Sequence, residues 1–124
     1  MFEWFRKIQG RLSARKKAVV TFDDLAVTCL RPDDTKEEVT RLELAAIEIV
    51  TTDAGPFIED LFWVLHGDGH VCVVPQEASG CTKLSARLQT LPNFNHQALI
   101  DAMCCTSNSR FPLWQRDSES PLNL

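Results

Sequence analysis

Residues 55–75, GPFIEDLFWVLHGDGHVCVVP, constrain the fold of this chain more than any other stretch. Two short apolar runs, 61–66 and 70–75, flank an Asp-Gly pair, the strongest local signal for a β-hairpin. With Asp68 and Gly69 as a two-residue turn, alternation places Trp63, Leu65, Cys72 and Val74 on one face. Phe62, Val64, Val71 and Val73 then share the other. Neither face is polar. Such a hairpin needs cover on both sides, so it is expected in the interior of a small sheet.

The chain before the hairpin has the period of strands. Val20 and Phe22, then Leu25, Val27 and Cys29, suggest two strands broken at Asp23-Asp24. Arg31-Pro32-Asp33-Asp34 has turn chemistry, because proline presets its φ and aspartate bonds back to the backbone. A third strand is expected over 36–42. A fourth is expected over 44–51, with Ala45, Ile47 and Ile49 inward and Glu48 toward water. After the hairpin the period lengthens. Ser79 is placed to cap a helix striped by Cys81, Leu84, Leu88 and Leu91, which Pro92 stops. Asn95 caps a second helix, with Leu99, Ile100 and Met103 turned inward. Residues 111–116 read as a returning strand that Pro112 confines to an edge.

Strands followed by helices predict an α+β domain over residues 18–116, an antiparallel meander of six or seven strands with two C-terminal helices. If the sheet bends strongly and the first C-terminal helix caps it, the domain is pleckstrin-homology-like. Residues 117–124 read as a flexible tail. At 124 residues the chain suits one domain with a proper core.

Charge is distributed unevenly. Residues 1–17 carry six cations against Glu3, a net of +5, while residues 18–124 carry −9. Residues 23–77 alone hold thirteen carboxylates against Arg31, Lys36 and Arg41, a net of −10. Such a body repels a phosphate backbone, which disfavours direct nucleic-acid binding. It steers a basic protein partner toward itself. Five cysteines at irregular spacing, with Arg6 and Lys7 interrupting the only apolar stretch near the N-terminus, predict reduced thiols in a cytoplasmic protein.

Several blocks in order carry a resemblance. GPFIEDLFWVL, VVPQ, RLQTLPNFN, ALIDAM and RFPLW resemble a family of small uncharacterised bacterial proteins over about residues 18–116. The resemblance implies a shared fold and no established activity. It therefore assigns no role to any residue.

Candidate chemistry is sparse. His66 and His70 bracket Asp68 in HGDGH, with Cys72 nearby, but the turn and the strand alternation direct these side chains apart. No second ligand pair of CxxC or HxxxH type accompanies them, so no metal and no cofactor are expected. Cys104-Cys105 lacks a base at helical spacing, and a thiol at a helix C-terminus is disfavoured as a thiolate. Paired nucleophile and base are absent from the pattern, which argues against an enzyme.

Two non-catalytic functions fit the residues. The first is a protein-binding module in which Asp53, Glu59 and Asp60 meet a basic partner and Phe57 anchors the contact. An immunity-type antagonist of a bacterial toxin is one specific form of it. The second is a peripheral membrane adaptor. Residues 1–17 form a basic amphipathic arm in which Phe2, Trp4 and Phe5 enter an anionic surface while Arg6 and Lys7 meet the headgroups. The same arm can instead fold back on the acidic domain.

Overall fold

The hairpin organises the molecule, although only one of its strands is interior. A computed structural model describes residues 17–53 and 61–116. The elements are β1 (Val19–Phe22), β2 (Ala26–Leu30), β3 (Lys36–Thr40), β4 (Ala46–Thr51), β5 (Leu61–His66) and β6 (Val71–Pro75). Two helices follow, α1 (Cys81–Leu88) and α2 (His96–Met103), and the chain returns as β7 (Ser109–Gln115). The class is α+β and every strand pairing is antiparallel.

The strands form two sheets, β1-β2-β3 and β6-β5-β4-β7, where the sequence suggested one meander. The division falls after β3. Glu43 Oε2 accepts from Thr40 N at 2.8 Å, and Thr40 Oγ1 accepts from Glu43 N at 3.3 Å. This reciprocal pattern, the same that starts helices, closes a tight turn. It ends β3 at Thr40, short of the expected residue 42, and β4 leaves to join β5.

Pairing of Leu65 with Cys72 and of Trp63 with Val74 matches the two-residue turn at Asp68-Gly69. Gly67 N donates to His70 O at 2.8 Å, and Gly69 takes φ 80°, which suits glycine. β6 ends its sheet, so its outer edge needs protection. Arg31 and Glu37 provide it. Val73 N donates to Glu37 Oε1 at 2.9 Å, and Arg31 Nη2 donates to Val73 O at 2.6 Å. Arg31 Nη2 also lies 2.5 Å from Glu37 Oε1. An ion pair thus occupies the place of a neighbouring strand and ties β3 to β6. Arg31 opens the expected turn, with Asp34 N donating to its carbonyl at 2.9 Å, and its side chain is fully buried.

Both faces of the four-stranded sheet are buried. The inner face contributes Ile47, Ile49, Trp63, Leu65, Cys72 and Val74 to the main core, with Val20, Cys29 and Val39 from the other sheet. Cys81, Leu84 and Leu88 of α1 and Leu99 and Ala102 of α2 complete it. The outer face carries a smaller cluster of Val50, Phe62, Val64 and Val73.

Three other expectations change. Ile100 and Met103 are exposed, because Leu99 and Ala102 set the buried phase of α2. Gly80, not Ser79, occupies the N-cap of α1. Ser79 instead bridges to β1: its N donates to Ala18 O at 2.9 Å and its O accepts from Val20 N at 2.8 Å. A Cβ on Gly80 would lie 2.3 Å from Val20 O, and its φ of 92° is left-handed, so both space and backbone require glycine. Finally, Glu48 is buried. Arg110 Nε and Nη2 donate to its two oxygens at 2.9 and 2.5 Å, and His66 Nε2 lies 2.6 Å from Oε2. Burial alone would raise the Glu48 pKa, but the bonds from Arg110 and His66 outweigh it and hold the carboxyl below its usual range.

Candidate functional site

Between the three-stranded sheet and α1 the core is left open. β2 and β3 present Val27 and Val39, α1 presents Leu84 and Leu88, and Leu65 and Leu91 extend the apolar lining. The resulting groove has a volume of about 270 Å³. Asp23, Asp24, Thr40, Arg41 and Arg87 ring its mouth.

Each part of this site has a local cause. Asp23 Oδ1 accepts from Leu25 N at 2.8 Å and Ala26 N at 3.0 Å, an Asx turn that breaks β1 from β2. The first of these bonds, then the second, holds the Asp23 carboxyl below its usual pKa. The turn lifts Leu25 out of the alternation, and it is 74% exposed. The tight turn after β3 does the same to Leu42, which is 88% exposed. Arg41 N donates to Leu25 O at 2.7 Å, so both turns are joined at one end of the molecule. Arg116 Nη2 donates to Leu42 O at 2.8 Å and steadies the second turn. Across the mouth, Arg87 Nη2 lies 2.5 Å from Asp24 Oδ1.

Two exposed leucines thus stand beside an apolar groove with a charged rim. Sequence alone missed it. Leu25 and Leu42 carry the alternation of strand residues, and the groove exists only because two turns and α1 converge.

Of the site residues singled out from sequence, Asp53 is the one described, and it does not line this groove. Asp53 is exposed just after β4, and its N donates to Asn108 Oδ1 at 3.3 Å, on the loop before β7. Phe57, Glu59 and Asp60 lie outside the described residues, as do Phe2, Trp4, Phe5, Arg6 and Lys7. The two histidines of HGDGH serve different carboxylates. His66 joins Glu48 on the outer face, whereas His70 Nε2 lies 3.3 Å from Glu43 Oε2. His70 Nδ1 and Nε2 also lie 3.0 Å from Asp68 O and Glu38 O. Its bond to Asp68 O, with support from the Glu43 charge and Glu38 O, raises its pKa despite some desolvation. Among the described residues no group of three or more His, Cys, Asp or Glu is placed to hold a metal ion.

Cys105 lies past the end of α2, and its thiol titrates below the ordinary range, contrary to the helix-end expectation. Ser107 Oγ at 3.4 Å is the main cause, followed by Ser107 O and by Thr51 Oγ1 at 3.5 Å. Cys29 and Cys72 are buried, and desolvation pushes Cys29 up to about 11 and Cys72 higher still. His96 packs its ring against Phe94, with centroids 4.9 Å apart. No helix of the described residues is long and apolar enough to cross a membrane.

Comparison with known proteins finds no matching family model, no similar curated protein and no matching solved structure.

Proposed function

We propose that this chain is a non-catalytic protein-binding module that receives an apolar side chain of a basic partner in the groove between β2–β3 and α1. The observation that carries the proposal is the open apolar groove with Leu25 and Leu42 exposed beside it. A fold with surplus apolar residues to bury would close such a gap unless something else fills it. The net charge of −10 over residues 23–77 supplies long-range attraction for a cationic surface. In this proposal the charges speed encounter and the groove sets the lifetime of the complex.

An immunity-type antagonist of a bacterial toxin is a narrower form of the same proposal, supported by the small size and acidic balance of the chain. The pleckstrin-homology-like form of the fold is also a proposal. The three-plus-four division of strands and the contact of β2 and β3 with β6 favour it. The return of β7 beside β4 after both helices departs from a sheet that is simply capped by its last helix.

Titration of the isotope-labelled chain with the pentapeptide Lys-Lys-Trp-Lys-Lys tests the site. Amides of Asp24, Val27, Arg41 and Leu91 are expected to shift, and far less so when alanine replaces the tryptophan. Shifts confined to other surfaces, or equal shifts with both peptides, would count against the groove.

A further inference from the structure

His70 meets oxygen at both of its ring nitrogens. Nδ1 lies 3.0 Å from Asp68 O, and Nε2 lies 3.0 Å from Glu38 O and 3.3 Å from Glu43 Oε2. Two of these oxygens are carbonyls and the third is a carboxylate, so all three accept and none donates. A neutral imidazole has one N–H and satisfies the partner of one nitrogen only, whereas the imidazolium satisfies both. The geometry is complete only when the ring is charged.

The three partners belong to separate parts of the fold. Asp68 lies in the β5–β6 turn, Glu38 lies on β3, and Glu43 closes the turn after β3 by accepting from Thr40 N at 2.8 Å. β3 and β6 end different sheets and lie side by side, joined through side chains. Val73 N donates to Glu37 Oε1 at 2.9 Å, Cys72 Sγ donates to Glu37 O at 3.7 Å, and His70 Nε2 reaches Glu38 O. Asp68 N adds a bond to Glu43 Oε1 at 3.3 Å. Glu43 also packs closely on Gly67, where a Cβ would lie 3.2 Å from its Cδ.

We propose that His70 is a proton-operated latch that ties the hairpin turn to β3 and to the turn after it, closed as the imidazolium and released when the ring loses its proton. The charges around it favour the closed form. Glu43 comes from the turn after β3, Asp68 from the hairpin turn, and Glu38 from β3, its carboxylate also receiving Thr28 Oγ1 at 3.1 Å. Arg116, the cation that borders the same hollow as Asp68 and Glu43, is turned to Leu42 O and Arg41 O. Asp68 O first, then Glu43 and Glu38 O, raise the His70 pKa, so release falls above the ordinary histidine value of 6.5.

Once the proton leaves, a ring lone pair faces an acceptor whichever nitrogen keeps its hydrogen. A proton kept on Nε2 gives up the hairpin bond, and one kept on Nδ1 gives up the bond to β3. Glu43 loses its counter-charge in both cases. Thr40 and Arg41, held by this turn, stand on the rim of the groove, so the latch reaches that rim. It stands on the junction alone, whatever the groove receives.

Amide hydrogen exchange on the full chain tests the latch, with rates corrected for the intrinsic effect of pH. Protection at Thr40, Arg41 and Asp68 is expected to fall at least about threefold between about pH 5.5 and about pH 8.5. The step should share its midpoint with the ring titration of His70. His70→Gln keeps a donor but no charge, and it is expected to hold the released level throughout with no step. Constant protection across the His70 midpoint in the wild-type chain would overturn the proposal, as would the same step in His70→Gln.

Discussion

The inner layer of the molecule is sealed at one end and open at the other. At the sealed end α2 packs on β7 and β4, and Trp63, Ile49 and Leu113 are shut off from solvent. A bulge opposite Ile47–Glu48 lets β7 accommodate Pro112 while turning Leu113 inward. At the open end α1 packs chiefly on β1, and the groove remains over Val27 and Val39. Both ends are lined by apolar side chains. They differ in whether a second element comes back to cover them. β7 returns to the sealed end, whereas the two turns at the open end hold Leu25 and Leu42 outward. A core specified by packing and a surface specified by its absence are thus built from one apolar layer.

Breaking the sealed end should have the largest effect. Trp63→Ala removes a fully buried indole whose Nε1 donates to Gln76 Oε1 at 2.8 Å. A loss of about 3–5 kcal/mol in urea unfolding is expected. A near-neutral result would show that this end is not sealed.

Gly80→Ala should come next, at about 1–3 kcal/mol for the left-handed φ, with the clash at Val20 O adding to it. Because this glycine seats α1 on β1, the variant should also shift amides along the groove. Unfolding measurements together with an amide spectrum would show both effects or refute the seat.

Glu48→Gln tests the clamp between β4 and β7. Its charge-assisted bonds to Arg110 are partly exposed on the arginine side, so about 1–2 kcal/mol is expected. The folded pKa of Glu48 is depressed, so its contribution is present above the unfolded value near 4.5 and disappears as pH falls through the folded one. Wild-type stability should therefore drop in acid more steeply than that of the variant. Parallel pH profiles would contradict the clamp.

His70 reports on the open end, since its partner Glu43 closes the turn beside the groove. The raised folded pKa means that its contribution is complete below about 6.5 and is lost as pH rises through the folded value. Its NMR titration midpoint should lie above 6.5 and fall in Glu43→Gln. An unchanged midpoint would separate the two residues.

Much of this architecture is legible in the sequence, for identifiable reasons. Alternation around Asp68-Gly69 gives the hairpin register, Asn95 accepts from Ala98 N at 3.0 Å as the N-cap of α2, and Pro112 lies on an edge strand. These signals are local. What escaped is nonlocal. Arg31 opens a turn, yet it is buried because its guanidinium reaches Val73, 42 residues away, as well as Glu37 across the turn. Glu48 alternates as a solvent-facing residue, yet Arg110 and His66 enclose it. The groove escaped for the same reason. Leu25 and Leu42 carry the pattern of strand residues, and only the Asx turn and the Thr40–Glu43 bonds remove them from the sheet.

The central claim is that the open end is a docking site for an apolar side chain, and filling it is the most direct test. Val27→Phe places an aromatic ring in the groove from β2, where wild-type Val27 is partly exposed. Stability should change by no more than about 1 kcal/mol, because the ring enters existing space. Affinity for Lys-Lys-Trp-Lys-Lys, measured by the same amide titration, should fall at least tenfold. Unaltered affinity in a correctly folded Val27→Phe chain would contradict the account.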